Sequence, residues 1–126
     1  MLKYIISTII ILSSYSIPKD DINDQKIYYG NPNNFEKLAC INYNKIVQNT
    51  EEYRNISNNN IEYGTAKYWT YISQASNKAK NNIKNYAKES EYDLILECDY
   101  VNDLDLEIEC INITEIILEF SNPEDE

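Results

Sequence analysis

The chain has 126 residues and a formal net charge of −10, and it contains no histidine. This length allows one domain. The acidic balance argues against nucleic-acid binding, which requires cations to neutralise phosphates. The lack of histidine argues against most zinc sites and against any histidine-based catalytic triad.

The first sixteen residues follow the order of a secretory signal peptide. Lys3 precedes an apolar run from Tyr4 to Leu12, and small polar residues come next. The run is shorter than the roughly 20 residues that a membrane-spanning helix needs. We therefore predict a signal peptide over residues 1–16, cleaved near Ser16, with an uncleaved anchor or a buried strand as alternatives.

The next segment, residues 17–36, is polar and contains two prolines and Gly30. This composition predicts an extended or loosely ordered N-terminal segment. Within it, the stretch QKIYYGNP is either a short apolar anchor or an edge strand, and the sequence leaves that choice open.

A single domain is predicted over residues 37–122, and it begins with a strand. The stretch KLACINYNKI, residues 37–46, contains an apolar run that suits a buried strand. Thr50 is placed to cap a helix whose first turn holds Glu51 and Glu52, where the helix dipole favours negative charge. Three consecutive asparagines and Gly64 then predict a turn.

A long helix is predicted from Thr65 onwards. Its apolar residues are spaced by three and four, which places them in one stripe on a helix. The stripe consists of Tyr68, Ile72, Ala75, Ala79, Ile83 and Tyr86. Trp69 and Tyr71 flank it, and Lys80, Lys84 and Lys88 follow another face. The stripe packs either on the protein's own core or, as the alternative that implies a function, on a client protein.

From Glu91 the pattern changes to that of strands. YDLILECDY contains a buried apolar run, and LDLEIECINI alternates apolar and acidic residues like a half-buried strand. We predict that these two strands form a hairpin. Asn112 or Thr114 then caps a short helix that ends at Pro123, and residues 123–126 form an acidic tail.

Charge is divided sharply between the helical region and the end of the chain. Residues 61–90 contain five lysines and two glutamates, whereas residues 91–126 contain thirteen acidic residues and no basic ones. The alternating strand explains much of this asymmetry without any functional site. The acidic tail is most simply a solvated end.

The three cysteines are Cys40, Cys98 and Cys110. An odd number leaves at least one thiol free or paired between chains. The spacing contains no CxxC motif, so we predict no metal site. The sequence leaves open whether Cys98 or Cys110 bonds to Cys40.

Three stretches resemble the Skp/OmpH family of periplasmic chaperones. INYNKIVQNTEEYRNI, from Ile41 to Ile56, is similar to that family's first strand and outgoing helix. IKNYAKESEYDLILECD, from Ile83 to Asp99, is similar to the returning helix and the strand that it feeds. INITEIILEF, from Ile111 to Phe120, resembles the terminal capped helix.

The resemblance implies an α+β fold: a small antiparallel or mixed β-body, built from both chain ends, with a protruding helical hairpin over about residues 50–90. It also implies a homotrimer that holds unfolded outer-membrane or envelope proteins in the periplasm without ATP, cofactor or catalytic residue. Membrane contact would be peripheral at most. Two departures are the acidic charge and hairpin arms of about 18 residues, which reach only about 27 Å.

On this basis we predict two sets of functional residues. The predicted client-binding residues are Tyr68, Trp69, Tyr71, Ile72, Lys78, Lys80 and Lys84. The predicted oligomerisation residues are Leu94, Leu96, Leu106 and Ile108.

The sequence also suggests two other classes of function, a protein-interaction module and an enzyme. A secreted acidic interaction module without chaperone activity would bind one folded, basic partner, and the twelve tyrosines favour it because tyrosine is common at interfaces. A glycosidase-like enzyme could draw a carboxylate pair from the acidic residues. We predict that the protein is not an enzyme, because strand alternation already explains most of those residues.

Overall fold

A computed structural model describes residues 14–121 of the chain. The predicted signal peptide therefore lies almost wholly outside the described residues, as does the acidic tail. The described part is an α+β fold with a four-stranded mixed sheet and five α-helices, which confirms the predicted α+β class and the mixed sheet.

The strands are β1 (Ile27–Gly30), β2 (Leu38–Ile41), β3 (Leu94–Glu97) and β4 (Cys110–Asn112). Their order across the sheet is β1-β3-β2-β4. Strand β2 runs parallel to both of its neighbours, and β1 pairs with β3 in the antiparallel sense. Strand β1 lies at the edge of the sheet. The stretch QKIYYGNP, which the sequence left as either an apolar anchor or an edge strand, therefore contains an edge strand.

The helices are α1 (Tyr43–Gln48), α2 (Glu51–Asn58), α3 (Ala66–Glu89), α4 (Cys98–Leu104) and α5 (Thr114–Ser121). Thr50 caps α2 as predicted, and Thr65, from which the long helix was predicted, caps α3. Their side chains accept hydrogen bonds from the backbone N–H groups of Tyr53 and Tyr68. Helix α1 was not predicted. Asn42 is the signal for it, because its side chain accepts a hydrogen bond from the Lys45 N–H.

Both faces of the sheet are buried, which explains why β2 and β3 are continuous apolar runs. On one face, Ala39, Ile41 and Ile95 pack against α1, α3 and α5. On the other face, Leu38, Leu94 and Leu96 pack with residues of α4, the loop before β4 and the N-terminal segment. The N-terminal segment is held there by Ile17, which is buried, and by backbone hydrogen bonds between Tyr15 and Phe35.

The predicted β-hairpin after β3 is wrong. The chain instead forms α4, an irregular loop and the short strand β4, which lies on the far side of β2 from β3. Leu104 follows Tyr100 by four residues and Val101 by three, so the three side chains lie on one side of α4. They pack on the second face of the sheet together with Leu106 and Ile108. From Leu104 to Ile108 the apolar alternation therefore reflects packing of a helix end and a loop, and the strand is limited to Cys110–Asn112.

Helices α2 and α3 contact each other across the turn, but they differ from the predicted hairpin in length and in burial. Helix α2 has eight residues and α3 has twenty-four, in place of two arms of about 18. On α3, Ala75, Ala79, Ile83 and Ala87 are buried in the core that one face of the sheet shares with α1 and α5, whereas Tyr86 is half-buried. Alanine at positions 75 and 79 permits this close approach. By contrast, no side chain from residue 51 to residue 74 is buried.

Two glycines provide a matched test of how tightly β1 packs on β3. Both have a left-handed backbone, with φ of +99° at Gly30 and +87° at Gly64. A Cβ at Gly30 would lie 2.0 Å from the carbonyl oxygen of Asp93, whereas one at Gly64 would meet nothing within 4 Å. Gly64→Ala is expected to cost about 1–2 kcal/mol for its backbone alone.

We expect Gly30→Ala to cost roughly 3 kcal/mol or more, because the clash adds overpacking of about 1–3 kcal/mol to the same backbone term. Urea unfolding of the two variants measures the difference. Equal losses of stability at the two positions would show that β1 does not pack on β3 in this way.

Candidate binding surface

The exposed end of the hairpin is shaped by a tight turn between α2 and α3. Asn60 and Gly64 both adopt positive φ, which lets the chain reverse over a few residues. The Thr65 hydroxyl donates to the Glu62 carbonyl and accepts from the Tyr68 N–H. The turn and the first residues of α3 are thereby fixed relative to each other.

Three aromatic side chains form a contacting cluster at this turn, and we call Tyr63, Tyr68 and Trp69 the aromatic tip. The ring centroids are 4.8 Å apart for Tyr63–Tyr68, 4.9 Å for Tyr68–Trp69 and 5.7 Å for Tyr63–Trp69. The tilted and edge-to-face arrangements are those that aromatic pairs prefer. The rings therefore order one another without help from the core.

The aromatic tip is open to solvent. Tyr63 is 77% exposed, and Trp69, the only tryptophan of the chain, is 50% exposed. Single exposed apolar side chains are ordinary, but clustered ones mark contact surfaces. Tyrosine and tryptophan are also enriched where proteins bind one another.

The predicted client-binding residues do not share one surface. Tyr68 and Trp69 belong to the aromatic tip, and Tyr71 and Ile72, which are half-buried, follow one turn later. Lys78 lines a cleft with Glu51, Glu52 and Arg54. Lys80 and Lys84 line a different cleft beside β1. Tyr63 was not predicted; its place beside a turn glycine is the signal that could have found it.

The predicted oligomerisation residues are also divided. Leu94 and Leu96 are fully buried within the subunit, so their side chains have no surface to offer another chain. Leu106 and Ile108 are half-buried and pack on the same side of the sheet. Of the four residues, only these two keep part of their surface accessible.

The disulfide joins Cys40 of β2 to Cys98 at the start of α4. This resolves the pairing that the sequence left open. Cys110 is a free, half-buried thiol, and its burial raises its pKa to about 11. A thiol with that pKa is almost entirely protonated at neutral pH, so it is a poor nucleophile and a poor metal ligand.

A polar network beside the disulfide fixes the junction between β3 and α4. The Tyr28 hydroxyl donates to Glu97 Oε1 at 2.8 Å, and the Tyr43 N–H donates to the same oxygen at 3.2 Å. The Tyr28 and Tyr43 rings stack with centroids 4.9 Å apart. Burial, and then the bond to Glu97, raise the pKa of Tyr28, so its hydroxyl stays protonated as a donor.

The described part of the chain contains neither a metal-binding cluster nor a membrane-spanning helix. Between residues 14 and 121, no cysteine and carboxylate side chains group together in a way that could hold a metal ion. No helix of that part is both long enough and apolar enough to cross a bilayer.

Comparison with known proteins gives no further guide. The chain finds no significant match among protein-family models, characterised proteins or solved structures. The resemblance to the Skp/OmpH family therefore remains a prediction from the sequence.

Proposed function

We propose that this is a secreted, non-catalytic binding protein that contacts one protein partner through the aromatic tip. The observation that carries the proposal is the cluster of Tyr63, Tyr68 and Trp69, held together by ring contacts and left exposed at the end of the hairpin. Burying two or three aromatic rings supplies the anchor that most protein interfaces use.

Rigidity supports the same proposal. The tip is fixed by the Thr65 cap and by the first turns of α3, whose later turns are anchored in the core at Ala75 and Ala79. An anchor that is already ordered loses little side-chain entropy on binding. The tip would thus enter a pocket of its partner without rearrangement.

Charge indicates the chemistry of the partner. Ten carboxylates lie between Glu91 and Glu119, with no lysine or arginine among them. A partner with a net positive charge would be attracted to this chain, which would speed encounter at low salt. The disulfide supports secretion, because such bonds persist in oxidising compartments.

The holdase of the Skp/OmpH type is the second candidate, in which a homotrimer holds unfolded envelope proteins in the periplasm. It is supported by the pairing of β2 with β3, which are parallel neighbours with Leu38 beside Leu94. The strand before α2 and α3 and the strand after them therefore lie side by side in one sheet, as a helical hairpin inserted in a β-body requires. The burial of Ala75, Ala79 and Ile83 weighs against it, because those residues would otherwise extend the apolar contact along the helix.

Site-specific photo-crosslinking distinguishes the two candidates. A benzophenone side chain at position 63 is expected to give one discrete adduct in the secreted or envelope fraction of the native host. The same side chain at Asn85, exposed on α3 outside the tip, should give none. Many adducts from position 63, together with trimers in solution and protection of a denatured β-barrel protein from aggregation, would favour the holdase. No adduct from position 63 would refute both.

A further inference from the structure

A cleft of about 570 Å³ lies between the edge strand β1 and helix α3. We call it the lysine cleft. It is lined by Ile27, Tyr28, Asn77, Lys80, Asn81 and Lys84. Its volume falls within the range of small-ligand sites, roughly 300–1,000 Å³.

The lysine cleft lies in the basic part of an otherwise acidic chain. Lys80 and Lys84 are four residues apart on α3, so both ammonium groups project on the same side of the helix. Neither forms an ion pair with a carboxylate in residues 14–121, where Lys37–Glu91 and Lys45–Glu115 are the pairs that occur. The residues that line the cleft include no carboxylate. Two uncompensated cations therefore face the same space.

The amide side chains define what else the cleft can bind. Asn77 and Asn81 are also four residues apart, and each offers two donors and an acceptor. Amides of this kind suit hydroxyl groups, which both donate and accept hydrogen bonds. Ile27 and the Tyr28 ring supply the apolar part of the lining, on which the carbon face of a sugar ring can rest.

We infer that the lysine cleft binds an anionic carbohydrate, with sulfate or carboxylate groups on Lys80 and Lys84 and sugar hydroxyls on Asn77 and Asn81. An acidic peptide would also use the two lysines, and its backbone groups would pair with the asparagine amides. Such a peptide is therefore the competing ligand in the titration. This site is separate from the aromatic tip. Trp69 and Lys84 are fifteen residues apart along α3, or about 22 Å.

The neighbouring cleft limits how far the ligand can extend. It shares Tyr28 and Lys80 with the lysine cleft, and it adds Lys26 but also Glu97 and Asp99. Glu97 is held by hydrogen bonds from Tyr28 and Tyr43, whereas Asp99 is exposed and would repel an anion. The anionic groups are therefore expected to lie between Lys80 and Lys84, within the lysine cleft, and not to extend toward Asp99.

The test is calorimetric titration of the full chain with a heparin-derived tetrasaccharide at low salt. Lys80→Glu/Lys84→Glu is expected to weaken binding at least tenfold. The matched control is Lys67→Glu/Lys78→Glu, which makes the same change in net charge on exposed sites of α3 outside the lysine cleft and should leave affinity within twofold. Circular dichroism verifies that both variants fold.

Further probes identify the ligand chemistry. A hyaluronan tetrasaccharide separates carboxylate from sulfate recognition, and a desulfated, uncharged tetrasaccharide should not bind. Asn77→Ala/Asn81→Ala should weaken tetrasaccharide binding at least threefold. The inference is overturned if the tetrasaccharide does not bind, if both charge variants lose affinity equally, or if a hexaglutamate peptide binds as tightly. None of these results depends on the aromatic tip.

Discussion

Trp69→Ala is expected to weaken binding of the crosslinked partner by about thirtyfold or more. Truncation of an interface hot spot costs at least about 2 kcal/mol, and each 1.4 kcal/mol corresponds to a factor of ten in Kd. Trp69 contacts both Tyr63 and Tyr68, so its removal also loosens the two remaining rings. Most of the change should be in the dissociation rate, which surface plasmon resonance measures directly.

Phe120→Ala is the control for this variant. Phe120 is another exposed aromatic residue, but it lies on α5 against Tyr86 and away from the tip. Its replacement should leave Kd within about threefold. The tip is not the contact surface if Trp69→Ala binds like wild type, or if Phe120→Ala causes the larger loss.

Removing the disulfide with Cys40→Ala/Cys98→Ala is expected to lower the free energy of unfolding by about 4 kcal/mol. The bond closes a loop with a sequence separation of 58, and the chain-entropy model assigns about that value to a loop of this length. A domain of this size loses about 4–8 °C in Tm for each kcal/mol. The Tm should thus fall by more than about 15 °C in a thermal scan.

Cys110→Ser is the matched control for the disulfide. Cys110 lies in β4 and is not bonded to Cys40 or Cys98. Its replacement should leave Tm nearly unchanged in oxidising buffer, and added reductant should destabilise this variant as much as it does wild type. A large loss of stability from Cys110→Ser would mean that Cys110 takes part in the bond instead.

Local signals in the sequence predicted much of the sheet and most of the helices. Continuous apolar runs marked β2 and β3, because both faces of these strands are covered. Thr50 and Thr65 marked the starts of α2 and α3, because side-chain capping needs only neighbouring residues. Such features depend on a few adjacent positions, so they can be predicted from the sequence alone.

Features that depend on distant parts of the chain were missed or left open. The spacing of Ala75, Ala79 and Ile83 predicted a helix, but it did not reveal that the sheet covers this stripe. Leu104 and Ile108 alternate with acidic residues like a strand, although one ends a helix and the other lies in a loop. The cysteine pairing follows from where β2 and α4 meet in space.

The aromatic tip was predicted only in part, because two of its residues follow a local helical pattern and the third depends on the fold of the turn. Tyr68 and Trp69 were selected from the helical pattern, and they do lie together. Tyr63 joins them only because the turn at Gly64 folds it back on α3. Lys78 and Lys80, two residues apart on a helix, face different clefts.

The central claim is that the aromatic tip is the surface that the partner covers. Trp69 is the only tryptophan in the chain, so its fluorescence reports on the tip alone. We predict that acrylamide quenches this emission efficiently in the free protein. At saturation with a tryptophan-free form of the partner, the emission should shift to shorter wavelength and the quenching constant should fall severalfold. Unchanged emission and unchanged quenching at saturation would contradict the account.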